Sequence, residues 1–513
     1  MGSTTHLVST KESMKEASVK TNVIANFAGR AWISLMSLLF VPLYIKFMGI
    51  ESYGLIGIFI SIIALFSLLD MGLSSTLSRE LARLSATKDS AQESRNLVRT
   101  LEVIYWGVGL VIGLVVMLLA PVIAHHWVKT QGIPAKTVQQ AVMIMGLVAA
   151  IQWPSSLYAG GLMGLQRQVR LNGVWMSMAT IQHGGAVLVL WFISPTILAY
   201  FTWQIFISIV QTLLLAYSVW KTLPATHNES VFKKDLLQKN WKFAAGMTGI
   251  TIIATILTQA DKVILSKMLT LTVFGYYILA FNIANAVIGL VNPVFSAIFP
   301  KLSQLIVEED NENIVSDYYH KGCQLASIIV FPVAAILAFF SVQVLQVWIR
   351  DPVIVQNTHL LLSLLVLGST FNAVMILPLS LQLAHGWTRL SFIKNVFAVI
   401  IYVPLLLWLV GIYGATGAAI VWIILNVGYF LIEIPIMHNR LLVNDMWRWY
   451  FKDVGIPILI AFCVVGLSRI LLPHNGSSFL VLSWITFTGM TAFSFTAMAF
   501  PFTYEWLRRV KNI

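Results

Sequence analysis

Fourteen apolar segments run through the 513-residue chain, near 21–47, 53–78, 98–126, 137–163, 171–193, 197–219, 241–266, 272–299, 322–348, 356–384, 390–410, 414–437, 453–472 and 478–502. Each can cross a bilayer, because about 20 apolar residues at 1.5 Å rise span roughly 30 Å of hydrocarbon. Inside hydrocarbon every backbone N–H and C=O must be satisfied by the protein, and a helix does this within one segment. The pattern predicts an all-α integral membrane protein. Charged residues make up only 11% of the chain, against about 25% in soluble domains. The longest polar gaps, near 221–240 and 301–317, are too short to fold as domains.

The net charge of +12 would suggest nucleic acid in a soluble protein. Here the basic residues sit in alternate loops. With a cytoplasmic N-terminus, 25 of the 33 Lys and Arg fall inside and six outside. That bias sets orientation and predicts both termini in the cytoplasm, with no nucleic-acid partner. Residues 1–20 are polar, contain no cleavable h-region, and read as a cytoplasmic tail. The two cysteines, Cys323 and Cys463, show no metal or disulfide spacing and read as buried, inert thiols.

The sequence matches itself at an offset of about 221 residues. Lys46 meets Lys267, Gly54 meets Gly275, Gly164 meets Gly386, Arg167 meets Arg389 and Pro154 meets Pro378. The offset spans six segments, an even number, so both halves keep one orientation. The predicted organisation is a tail at 1–20, a first lobe of six spans at 21–220, and a linker at 221–240. A second lobe of six spans covers 241–438, and two appended spans with a cytoplasmic end fill 439–513. Pro42, Pro154 and Pro378 interrupt spans and are hinge candidates, because each removes a backbone donor and tends to kink its helix.

Charges within spans are costly and face a partner or a watery cavity. Arg30 lies about ten residues beyond Lys20 and Asp70 nine before Arg79, so helical rise puts them at similar depth on adjacent spans. Two readings stand: an Arg30–Asp70 ion pair, or an Arg30 that faces a cleft and binds an anionic headgroup. Guanidinium suits phosphate because its planar fork donates two parallel hydrogen bonds. Asp261 and Lys262 lie in the seventh span. Neighbours on a helix diverge by about 100°, so they should not share a face. Glu51 and Glu433 read as interfacial, and His183 as a histidine hydrogen-bonded between helices. No phosphate loop, HExxH, GxSxG or paired-acid motif is present, which argues against an enzyme, and no metal site is expected.

"NFAGRAWISLMSLLFVPLYIKFMGIESYGLIGIFISI" followed by "LLDMGLSSTLSRELARL" resembles the opening of polysaccharide flippases of the multidrug/oligosaccharidyl-lipid/polysaccharide superfamily. The stretch from Trp241 through Leu305, with Asp261, Gly275-Tyr276-Tyr277 and Pro300, resembles the start of their second half. The resemblance implies about 14 transmembrane helices, with two six-helix lobes in a V-shaped arrangement plus two C-terminal helices. It implies translocation of undecaprenyl-pyrophosphate-linked oligosaccharide across the bacterial inner membrane by alternating access. It implies no cofactor, with H+ or Na+ as the candidate coupling ion. The implied partners are the lipid-linked oligosaccharide and membrane lipids, with other glycan-assembly membrane proteins as further candidates. Arg30 matches a headgroup-binding arginine of related peptidoglycan-precursor flippases, and Asp70, Asp261 and Lys262 complete the candidate substrate site. Two alternatives are an ion-coupled multidrug exporter of the same fold and a membrane glycosyltransferase or polymerase. The exporter would need membrane acids that dominate. The transferase would need a large outer loop, which the sequence lacks.

Overall fold

The computed structural model describes residues 21–22, 24–85, 87, 90–308, 312–472 and 477–501, with residues 237–251 described as backbone only. The expected tail at 1–20 and the last twelve residues lie outside this set. Among the described residues every long element is a helix, and twelve helices are long and apolar enough to span a membrane. Two further helical stretches cover the expected first and seventh spans. Helix α1 (Ile24–Leu39) runs into α2 (Val41–Phe66). Gly49 inside α2 has φ +80° and ψ 163°, a conformation open to glycine because it lacks a Cβ. The chain therefore turns at Gly49, ending the first span and starting the second. The seventh span is α9 (Lys234–Met268).

The chain divides into two compact units at Gln259/Ala260. In the first, α2 ends in a 3-10 turn, Ser67–Asp70. Then come α3 (Leu73–Ser85), α4 (Ala91–Val122), α5 (Ala135–Gln152), α6 (Pro154–Gly164), α7 (Gln168–Phe192) and α8 (Ile197–Thr222). The second unit contains α10 (Leu271–Gly289), α11 (Asn292–Val307), α12 (Glu312–Phe339), α13 (Ser341–Ile349) and α14 (Pro352–Val374). It continues with α15 (Ile376–Ala384), α16 (Thr388–Tyr413) and α17 (Ala415–Leu441). The short α18 (Met446–Arg448) and a π-helical turn, Trp449–Gly455, lead into α19 (Ile456–Ile470), and α20 (Ser478–Met498) ends the unit.

Two helix breaks fall next to the matched prolines Pro154 and Pro378. The span α5–α6 breaks at Trp153, just before Pro154, and α14–α15 breaks at Met375, just before Pro378. Each proline sits in the first turn of the restarting helix, where its missing N–H leaves no intrahelical bond unmade. Pro42 stands in the first turn of α2 in the same way. After each matched break the chain turns through a left-handed residue, Gln166 at φ +56° and Gly386 at φ +67°.

The second span stops short of its expected end at residue 78. Met71 and Gly72 both take positive φ, 47° and 69°, and end it at Asp70. The amphipathic α3 takes over from there and buries Thr76, Leu77, Glu80, Leu81 and Leu84. Leu77 and Leu81 join a core with Leu101, Tyr105, Leu157 and Leu162. Gly160 and Gly164 allow this contact. A Cβ on Gly160 would meet the Ser74 carbonyl oxygen, and one on Gly164 the Ser78 carbonyl oxygen. Gly164→Val should therefore push α6 off α3 and cost about 1–3 kcal/mol, read as a lower unfolding temperature of the detergent-solubilised protein. Cys323 is buried as expected, but Cys463 is exposed on α19.

Candidate functional site

In the first unit, α1 and the start of α2 lie against α7 through side-chain hydrogen bonds. Asn172 Nδ2 donates to Asn26 Oδ1 (2.6 Å), Trp32 Nε1 to Thr180 Oγ1 (2.9 Å), and the Tyr44 hydroxyl pairs with His183 Nδ1 (3.0 Å). His183 is thus the interhelical histidine its position suggested. Gly29 is buried against Asn172. One residue further round the helix, Arg30 is exposed, and so are Asn26, Ser34 and Ser37 at helical spacing. Among the described residues no carboxylate pairs with Arg30. α1 therefore carries a polar stripe with one guanidinium in it, on a helix that is otherwise apolar.

Of the two readings of Arg30, the ion pair with Asp70 is not formed. Asp70 accepts hydrogen bonds from the Tyr105 hydroxyl and from Ser74 Oγ (2.9 Å). The depth argument assumed an unbroken helix from Asp70 to Arg79. The turn at Met71–Gly72 breaks it and directs the carboxylate to α4.

In the second unit, Asp261 and Lys262 do meet, against expectation. Lys262 Nζ lies 3.2 and 3.3 Å from the two Asp261 oxygens, and both side chains are 4% exposed. The 100° divergence applies to the Cβ directions, whereas the four-carbon lysine stem can curl back to its neighbour. The Tyr277 hydroxyl donates to Asp261 Oδ2 (2.7 Å), and Lys262 Nζ stands 3.7 Å from the centre of the Phe281 ring. The ammonium thus meets a carboxylate and an aromatic face together.

Three further groups escaped the sequence. Glu433, expected at an interface, is buried. It pairs with Lys394, assigned to a loop, and accepts from Gln382 Nε2 (2.7 Å). Glu51 accepts from the backbone N–H groups of Gln131 (2.6 Å) and Gly132 (2.9 Å), pinning the loop that precedes α5. His320, fully buried on α12, pairs with Asp453 of the π-helical turn; Gln324 Nε2 also donates to Asp453 (2.8 Å). In each case the partners are more than 35 residues apart, so no local spacing marks them.

On α3, Glu80 accepts from Arg83 Nε (2.9 Å) and Arg79 Nη2 (2.8 Å). Burial raises its carboxyl pKa, but the hydrogen bonds and charges of Arg83 and Arg79 outweigh this and hold it below the ordinary value. Both arginines are about half exposed, so the clamp should be worth no more than about 1 kcal/mol. A depressed folded-state pKa makes that stability complete above the unfolded carboxyl value and lost as pH falls through the folded one. In unfolding runs between pH 7 and pH 3, Glu80→Gln should remove a small acid-sensitive part of the stability.

Residues 19–306 match the family described as polysaccharide biosynthesis protein. A protein of Shigella flexneri named as a candidate O-antigen transporter is 24% identical over 412 residues, covering 79% of this chain and 94% of its own length. The lipopolysaccharide biosynthesis protein WzxC of Escherichia coli is 24% identical over 271 residues, 51% of this chain and 52% of WzxC. Among solved structures, the lipid II flippase MurJ in an inward closed conformation superposes with a TM-score of 0.70 at 14% identity, covering 93% of this chain and 98% of MurJ. An inward-facing multidrug resistance MATE family transporter of the MOP superfamily gives 0.63 at 16% identity, over 82% of this chain and 99% of the transporter. The chain has the all-helical fold of these transporters, and it belongs to the polysaccharide biosynthesis protein family.

Proposed function

We propose that this chain is a flippase for a lipid-linked oligosaccharide, carrying an undecaprenyl-pyrophosphate-linked repeat unit of a surface polysaccharide across the bacterial inner membrane by alternating access. The observation that carries this is the match to the O-antigen transporter over 94% of that protein's length, on a fold shared with a lipid II flippase. A sugar pyrophosphate cannot cross hydrocarbon unaided, because burying unpaired polar groups costs several kcal/mol each. The protein must therefore present a polar surface within the membrane while the prenyl tail stays in lipid.

Arg30 is the residue best suited to the pyrophosphate, because its charge is exposed on the polar stripe of α1. Asp70, Asp261 and Lys262 are already held by Tyr105, Tyr277 and each other. They would take part only after those bonds open. The breaks at Pro42, Pro154 and Pro378 are our hinge candidates. On this reading both termini lie in the cytoplasm, which the loop charges support, and the energy source would be an H+ or Na+ gradient. The exporter reading is weaker, since the likeness to multidrug transporters at 16% identity speaks to fold. The test is expression in a strain lacking its O-antigen flippase but keeping its glycan assembly enzymes. Restored surface glycan supports the reading. A membrane-inserted protein that restores none, in a strain making the matching repeat unit, refutes it.

A further inference from the structure

Helix α4 carries one continuous stripe whose character changes along its length. Arg95, Arg99, Glu102, Trp106, Leu110, Gly113 and Met117 recur every three or four residues and so lie on one face. At one end, Arg95 stacks over the Trp220 ring at 5.2 Å, and Arg99 is half exposed. Glu102, buried between them and Trp106, is already engaged. It accepts from Arg99 Nη1 (2.8 Å), the Tyr158 hydroxyl (2.6 Å) and Trp220 Nε1 (3.2 Å). One turn on, Trp106 is 41% exposed and its Nε1 reaches toward the Tyr158 hydroxyl (3.4 Å).

Beyond Trp106 the face is wholly apolar. Trp106, Leu110, Leu114, Met117 and Leu147 line a groove of about 310 Å³ between α4 and α5. The small residues Gly113 and Ala150 also line it. A Cβ on Gly113 would lie 2.8 Å from Ala150 Cβ, and one on Gly146 would lie 3.0 Å from the Gly113 oxygen. The two helices therefore touch backbone to backbone while their larger side chains stand up on either side. From Trp106 to Met117 the groove runs about 16 Å along the helix, roughly one leaflet's depth of hydrocarbon.

We propose that this stripe binds one anionic glycerophospholipid, its phosphate at Arg99 and Arg95 and an acyl chain in the groove above Trp106. Polarity is graded along the stripe: two guanidinium groups, one of them paired with the buried Glu102, then an indole, then a dry channel open to lipid. The groove is about one leaflet deep, which matches an acyl chain in length, whereas an undecaprenyl tail is far longer; this favours a resident phospholipid over the transported sugar lipid. The proposal does not depend on the transport reading.

The test is native mass spectrometry of the full-length protein, delipidated and titrated with phosphatidylglycerol or phosphatidylcholine. Wild type should retain one phosphatidylglycerol in preference to phosphatidylcholine. Each arginine near a membrane surface contributes enough for about a fivefold change in binding, so Arg95→Gln with Arg99→Gln should reduce that preference by about twentyfold or more. Leu110→Trp with Leu114→Trp fills the groove from its exposed side and should abolish retention of both lipids. Equal retention of the two lipids by wild type would overturn the proposal. So would groove-filled protein that still holds phosphatidylglycerol, or undecaprenyl phosphate displacing it at tenfold lower concentration.

Discussion

Arg30→Ala is expected to cut surface glycan in a complemented flippase-deficient strain by ten- to a hundredfold while leaving the amount of protein in the membrane unchanged. Arg30 is exposed and has no carboxylate partner among the described residues, so removing it leaves no buried charge behind. Its loss removes charge-assisted hydrogen bonds to phosphate, worth about 1.5–3 kcal/mol. Arg30→Lys keeps the charge and loses the planar fork, so it should fall between wild type and alanine. Glycan blots and membrane immunoblots from the same cells measure the two quantities. Full complementation by the alanine variant would remove Arg30 from the headgroup site.

The opposite pattern is expected of His320→Ala, which should lower stability before any transport step is reached. His320 and Asp453 are both fully buried. Ser327 Oγ donates to the Asp453 backbone oxygen (2.6 Å), and Ser316 Oγ to Asp445. These bonds tie α12 to the start of α18 and to the π-helical turn that leads into α19. Removing His320 takes one buried hydrogen-bond partner from the Asp453 carboxylate and leaves Gln324 as its remaining side-chain donor among the described residues, at a cost of about 1–3 kcal/mol. Cys323, one turn from His320 and buried, is a natural reporter. In a Cys463→Ser background, maleimide should label Cys323 slowly in the parent and rapidly in the His320→Ala protein. Unchanged labelling and unchanged unfolding temperature would mean that the pair does not hold α12 to this turn.

Much of the fold was legible because hydrocarbon punishes irregular backbone. Long apolar runs mark spans, and Pro154 and Pro378 mark the two matched breaks. The turn at Met71–Gly72 was hidden, since a lone glycine in an apolar run is compatible with a helix. Missing it misplaced Asp70 and created an ion pair with Arg30 that the structure does not contain. Asp261–Lys262 failed for a different reason: spacing fixes where Cβ points but not where a flexible lysine ends. Lys394–Glu433 and His320–Asp453 join helices distant in sequence, and only tertiary packing reveals them. Arg30 was read from its residue type, its depth and the family resemblance, and its headgroup role stands as a proposal.

The most direct measurement is flipping in proteoliposomes. Undecaprenyl-pyrophosphate-linked oligosaccharide would be placed in both leaflets, and an external glycosidase would report how much is reachable. Wild-type protein should raise the cleaved fraction from about half toward completion within minutes, and Arg30→Ala protein should do so at least tenfold more slowly. If wild-type vesicles stop at the same half as protein-free vesicles, under either an H+ or a Na+ gradient, the chain does not move this lipid.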